Sequence, residues 1–214
     1  MSFPTLFFCA CLQTFCCSPF SSLSLPLSPR HPPTKKRSLR WKSELGDSVD
    51  PASLLVVASP FARTLETATL ASAAVGVRGF ENLDDDENGR GEPGAGKEAE
   101  RDPRFVADEA LRERHFGGFE LQSHDHYKTV WLEDARDVRW RAEKGEGEKE
   151  GESVVDVAGR LRALFEKLES KYENRNILLV AHGDTLSIAT AVARGGGLGK
   201  HREHAQETGE LRKL

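Results

Sequence analysis

The run Ile177-Leu178-Leu179-Val180-Ala181-His182-Gly183-Asp184-Thr185-Leu186 decides how this chain folds. Its β-prone apolar residues follow the turn-like Glu173-Asn174-Arg175-Asn176 without interruption, which predicts a strand buried on both faces, the mark of a parallel sheet. From Thr185 through Ala193 the sequence is rich in Leu, Ile and Ala and stops at Gly195-Gly196-Gly197, so a helix with a glycine terminator is expected next. His182 therefore stands in a strand-to-helix turn. In open α/β sheets ligands collect beyond the carboxyl ends of strands, and a helix N-terminus there offers unpaired N–H groups to an anion. His182 is placed to meet a phosphate.

The same layout occurs earlier in the chain. Leu54-Leu55-Val56-Val57-Ala58 reads as a buried strand, Ser59-Pro60 as a turn and Phe61 to Val75 as a helix with Pro just before its first turn. Arg63 falls in that first turn and projects from the same edge of the sheet. A cation is poorly placed at a helix N-terminus unless an anion lies between them, and guanidinium grips phosphate bidentately. A solvated surface arginine is the competing reading.

Between these halves, order resumes at Phe105-Val106-Ala107 and continues into Leu111-Arg112-Glu113-Arg114-His115-Phe116-Gly117-Gly118-Phe119-Glu120. Glu113 suits a general acid if burial raises its pKa; a surface ion-pair loop explains the same residues. Trp131 and Trp140 are expected as anchors on a helical stretch. Ser153 to Tyr172 is the clearest helix, with Ser153 and Asp156 resembling a capping box and Val154, Val157, Leu161, Leu164, Phe165, Leu168 and Tyr172 forming one apolar stripe. Glu152 precedes the cap and is either exposed or turned to the site. Thr208 to Leu214 is expected to supply a last edge strand.

The 214 residues suffice for one sizeable domain. Residues 1–42 hold six Lys/Arg and no acid, so the rest carries −10, the total of −4 less the +6 of that segment. That is not the charge of a nucleic-acid binder. All four cysteines lie in the first seventeen residues, so the core needs no disulfide or thiolate metal site, which suits a reducing compartment. Phe3 to Cys17 is apolar but shorter than the roughly 18 residues of a membrane span, and Pro4, Gln13 and Thr14 interrupt it. Residues 1–38 read as a disordered, targeting or mispredicted start, and residues 39–214 as the domain. Cytoplasmic placement is the default, and the acid-free, Ser-rich start leaves organelle targeting open. Residues 81–104, acidic and glycine-rich, are expected to form a disordered insertion. The histidines at 124, 126, 201 and 204 lack the fixed frame of a zinc site, so no metal and no cofactor is expected.

Four stretches stand in an informative order: Ser59-Pro60-Phe61-Ala62-Arg63-Thr64-Leu65-Glu66-Thr67-Ala68, Leu111 to Gly117, Gly151-Glu152-Ser153 and Val180-Ala181-His182-Gly183-Asp184. Together they resemble the motifs of the histidine phosphatase superfamily, the phosphoglycerate mutase-like proteins, with similarity from near Leu39 to the end. Phe119-Glu120-Leu121, Ser123-His124-Asp125 and Thr208 to Leu211 resemble a eukaryotic branch of that family. The resemblance implies an α/β, three-layer phosphoglycerate mutase-like fold, its mostly parallel sheet flanked by helices. It also implies phosphoryl transfer through a phosphohistidine on a phosphorylated small molecule. By the same resemblance Arg63 grips the phosphate, Glu113 is the acid/base and His182 is the second, phosphate-binding histidine. The family's opening strand ends in Arg-His-Gly and carries the nucleophile; no such motif occurs here. Arg30-His31 runs into Pro32-Pro33, and prolines precede it where a central strand must donate hydrogen bonds. The first central strand is therefore expected to be missing, through a truncated or misassembled gene model, leaving an unpaired edge beside the His182 strand. The chain as written is expected to be inactive, or to be a non-catalytic phosphate-binding protein on the same scaffold.

Overall fold

A computed structural model describes residues 5–10, 49–50, 53–74, 104–120, 122, 125–145 and 149–214. Five strands form one sheet in the order β3-β2-β4-β1-β5, with β1 Thr5–Ala10, β2 Leu54–Ala58, β3 Phe105–Ala107, β4 Asn176–Ala181 and β5 Leu211–Lys213. All neighbours run parallel except β5, which is antiparallel to β1. The described residues include four α-helices, α1 Ala62–Ala74, α2 Asp125–Arg136, α3 Val154–Lys171 and α4 Gly183–Ala193, of which α1, α3 and α4 pack on the sheet.

The strand period of two distributes the core. Leu55, Val57, Ile177, Leu179 and Ala181 face one side, where the α3 stripe and Leu186, Ile188 and Ala189 of α4 pack on them. Leu54, Val56, Ala58, Leu178 and Val180 face the other side, under Leu65, Ala68 and Ala71 of α1. Strands buried on both faces between two helical layers make the three-layer α/β arrangement expected from the sequence.

The expected gap beside β4 is closed. Thr5–Ala10 lies parallel to β4 along its whole length, Thr5 opposite Asn176 and Ala10 opposite Ala181. Its other edge pairs with β5, Cys9 opposite Leu211. The stretch Thr-Leu-Phe-Phe-Cys-Ala has the length and β-propensity of a strand, and the Ser/Pro-rich sequence after it masks that signal when composition is read over a longer window. Arg30-His31, the insertion at 81–104 and His124 lie outside the described residues.

α3 starts as the sequence predicts. The Ser153 backbone N–H donates to Asp156 Oδ2 at 2.7 Å and Asp156 N donates to Ser153 Oγ at 3.2 Å, a reciprocal capping box. Ser153→Ala is expected to cost about 1 kcal/mol of stability, read as a lower urea midpoint at unchanged slope. The helix expected to carry both tryptophans stops at Arg136, so Trp131 lies on α2 while Trp140 lies in the loop beyond it.

No described helix is long and apolar enough to cross a membrane.

Candidate active site

Adjacent strands β2 and β4 both hand the chain to a helix at their carboxyl ends. Ala58 is level with Val180, and Ser59 N donates to Val180 O at 2.9 Å, so Ser59 and His182 leave the sheet side by side. α1 and α4 then point their N-termini at one edge. His182 is the N-cap residue of α4 in extended backbone, and its side chain makes no capping bond, which frees the imidazole for other partners. The ring is 1% exposed.

Arg63, one residue into α1, donates from Nη2 to His182 Nδ1 at 2.9 Å. The other ring nitrogen, Nε2, lies 2.9 Å from Ser59 Oγ. Phe61, 39% exposed, closes a third side: its ring stands edge-on to the imidazole at 5.1 Å between centroids, and the Arg63 guanidinium lies 5.1 Å from its centre. Burial, then the charges of Arg63 and Arg160, push the His182 pKa down to about 3, so the ring is neutral at physiological pH.

Glu113 arrives on the loop after β3. Asp108 fixes this path: its Oδ1 takes the Ala110 N–H at 2.9 Å, capping a short 3-10 turn over Glu109–Leu111. Glu113 Oε2 then lies 3.8 Å from His182 Nδ1. Its other oxygen accepts from Arg114 N at 3.1 Å and lies 3.2 Å from the Thr185 hydroxyl. Burial, then the nearby Asp184 carboxylate, push the Glu113 carboxyl up to about 7. A carboxyl titrating there is half protonated at neutral pH, the poise a proton donor needs.

This shift makes a stability prediction. The unfolded carboxyl ionises near 4.5 and the folded one near 7, so the native state holds the extra proton in between. Its contribution is fully present below pH 4.5 and is lost as pH rises through 7. Glu113→Gln removes that dependence. Relative to wild type, the variant should gain up to about 3 kcal/mol between acid and mildly alkaline solution, measured by urea unfolding across that range.

Glu152 turns inward. Its carboxylate takes Arg112 Nη2 at 2.7 Å, Arg160 Nε at 3.2 Å and the His115 backbone N–H at 3.0 Å, tying the Glu113 loop to α3. Arg114, 2% exposed, forks onto Asp134 of α2 at 2.6 and 2.9 Å, donates from Nε to Glu152 O at 2.8 Å and reaches Asp184 of α4 at 3.4 Å. His201, Arg202 and the Trp131 indole also contact Asp184. The loop, α2, α3 and α4 are thus locked at one point directly behind the site. The pair Arg114-His115 offers no free cation and imidazole of its own, because Asp134 holds the arginine and His115 Nδ1 accepts the Gly117 N–H at 3.1 Å. Gly117 takes φ +57 there, and a Cβ would meet Glu143 O at 2.7 Å, so only glycine fits this turn.

Arg63, Glu113 and His182, separated by up to 119 positions, are brought into one cluster. Sequence reasoning missed Ser59, Arg160, Asp134 and Asp184 as its neighbours. Ser59 alone left a signal, since it occupies at the end of β2 the place His182 occupies at the end of β4. Among the described residues no three His, Cys, Asp or Glu side chains are grouped to hold a metal ion.

Residues 95–214 match the model of the histidine phosphatase superfamily (branch 1), more than half of the chain. No curated protein matches the sequence. Among solved structures, the fold is similar to that of an alpha-ribazole phosphatase from Shigella flexneri, at TM-score 0.58 and 18% identity over 98% of this chain and 89% of that one. It is similar to native mycobacterial glucosyl-3-phosphoglycerate phosphatase at TM-score 0.56 and 19% identity, over 99% and 88% of the two chains. The complex of that phosphatase with inorganic phosphate matches at TM-score 0.54 and 20% identity, over 84% of this chain and 76% of that one.

Proposed function

We propose, on the premise that this chain belongs to the histidine phosphatase superfamily (branch 1), that the β2/β4 edge receives the phosphoryl group of a phosphorylated small molecule. The observation that carries this reading is the cluster itself: Arg63 and His182 in contact, with a carboxyl poised near neutrality 3.8 Å away. Phosphoryl transfer is chiefly positioning and charge stabilisation, so fixed donors beside a neutral acid are what the chemistry requires. Arg63 and His182 form the phosphate-facing pair, the α4 N-terminus adds backbone N–H groups, and Glu113 in its protonated form gives its proton to the leaving oxygen.

A covalent step also needs a nucleophile. The strand beside β4 is Thr5–Ala10, and neither it nor the following Cys11-Leu12-Gln13 contains a histidine. The chain as written therefore holds a phosphate without turning it over. Incubation of the full chain with p-nitrophenyl phosphate should yield no nitrophenol above background and no acid-labile phosphohistidine. Release of nitrophenol together with phosphohistidine would instead favour a working phosphatase whose nucleophile lies outside the described residues.

A further inference from the structure

We propose that Glu152 is a positioning residue for Glu113: it takes up the Arg112 and Arg160 guanidiniums beside that carboxyl, which would otherwise pair with Glu113 and draw the proton off it. This rests on the reading that Glu113 is the proton donor, and it names the group that keeps the donor loaded.

Both oxygens of Glu152 are committed. Oε1 accepts from Arg112 Nη2 at 2.7 Å and from Arg160 Nε at 3.2 Å, while Oε2 accepts from the His115 N–H at 3.0 Å and from Arg160 Nη2 at 3.3 Å. The backbone continues the lock: Glu152 N donates to His115 O at 2.8 Å, and Arg114 Nε donates to Glu152 O at 2.8 Å. Arg112, Arg114 and His115 are thus tied to one residue, and Glu113 lies between them in the chain. Arg160 adds a bond from Nη1 to Ala110 O, just before the same loop. A guanidinium 12% exposed, forked onto a carboxylate 14% exposed, is a fixed contact and not a loose surface pair.

The charges give Glu152 a task beyond holding the loop. Burial and Asp184 on α4 favour the protonated form of Glu113, while Arg63 on α1 and the Thr185 hydroxyl oppose it. The His182 ring stands 3.8 Å away. Within the loop, Asp134 matches the charge of Arg114 through bonds of 2.6 and 2.9 Å. Arg112 and Arg160 remain, and among the described residues the carboxylate that pairs with both is Glu152. Glu113 also stabilises the Arg160 charge, after Glu152. Two guanidiniums on one carboxylate leave a surplus of one positive charge. Without Glu152 the surplus is two, and the neighbouring acid ionises to meet it.

The test is the pH titration of the Glu113 carboxyl by carbon NMR of the 13C-glutamate-labelled full chain, with Glu113 assigned by its loss in Glu113→Gln. In wild type it should titrate at about 7. Glu152→Gln keeps the shape and removes the charge, and Glu113 should then titrate about 1 pH unit lower, roughly a tenfold fall in the ratio of protonated to ionised acid. Combining Arg112→Met with Glu152→Gln returns the surplus to one charge and should bring the titration back toward wild type. A merely structural Glu152 predicts the reverse, because the second substitution loosens the loop further. Arg112→Met alone, at a side chain 40% exposed, should fold and raise the titration. An unmoved Glu113 in Glu152→Gln, or one lowered further in the double variant, overturns the proposal. Should Glu152→Gln fail to fold, an unmoved titration in Arg112→Met does so. A wild-type Glu113 titrating near 4.5 brings down the proton-donor reading and this inference together, whereas unmoved variants of a wild type titrating at about 7 bring down this inference alone.

Discussion

Arg114→Ala is expected to lower the free energy of unfolding by about 3–5 kcal/mol, the cost of removing one partner from a buried, hydrogen-bonded ion pair. Asp134 is fully buried and receives two guanidinium bonds, at 2.6 and 2.9 Å. Without Arg114, the charged partner left to it among the described residues is the His201 ring, with Nε2 at 3.9 Å. Asp184 loses a cation as well. Burial by itself would raise the Asp184 pKa, and contacts with His201, Arg114 and Arg202 reverse this and hold it low. The loss is specific to breaking the pair. Arg114→Met with Asp134→Leu should cost less than Arg114→Ala alone, since no buried charge is stranded. Urea unfolding of both proteins at neutral pH checks the order.

Arg63→Ala is expected to weaken binding of inorganic phosphate by roughly 100-fold, about 2–3 kcal/mol, the scale of a lost charge-assisted donor in a buried site. Calorimetric titration of the full chain reads it directly, and phosphate affinity equal to wild type would remove Arg63 from the site. A second consequence follows from linkage. The depressed His182 pKa contributes stability that is present above 6.5 and is lost as pH falls through about 3. Arg63 is one cause of that depression, so the variant should lose less stability than wild type as pH falls from 6.5 toward 3. Arg63→Lys keeps the charge but not the fork, and should recover only part of the phosphate affinity.

Much of the architecture was legible because its core elements obey simple periods. β2 and β4 are unbroken apolar runs that end at Ser59 and His182, and the α3 stripe recurs at helical spacing from Val154 to Leu168. Arg63 and His182 could be placed on one edge from those runs alone, because strand-to-helix turns at parallel strands share a side of the sheet. β1 was missed for the opposite reason. Six residues beside a Ser/Pro-rich stretch carry little periodic signal, and their strand character comes from pairing with Asn176–Ala181 and Leu211–Lys213.

The polar cluster behind the site was equally hidden. Asp134 and Asp184 look like ordinary helix carboxylates in the sequence, and only tertiary packing buries them against Arg114. The same packing resolves Glu113. A surface ion-pair loop and a buried acid read alike in Leu111 to Gly117; the lock through Arg114 and Glu152 is what carries the carboxyl to His182.

Phosphate held at the β2/β4 edge on Arg63 and the α4 N-terminus can be followed in amide and guanidinium spectra of the full chain during an inorganic phosphate titration. Saturable shifts of the Arg63 Nε–H together with the backbone N–H groups of Gly183, Asp184 and Thr185 are expected, at one common dissociation constant. Shifts confined to exposed arginines, or none at saturating phosphate, would contradict it.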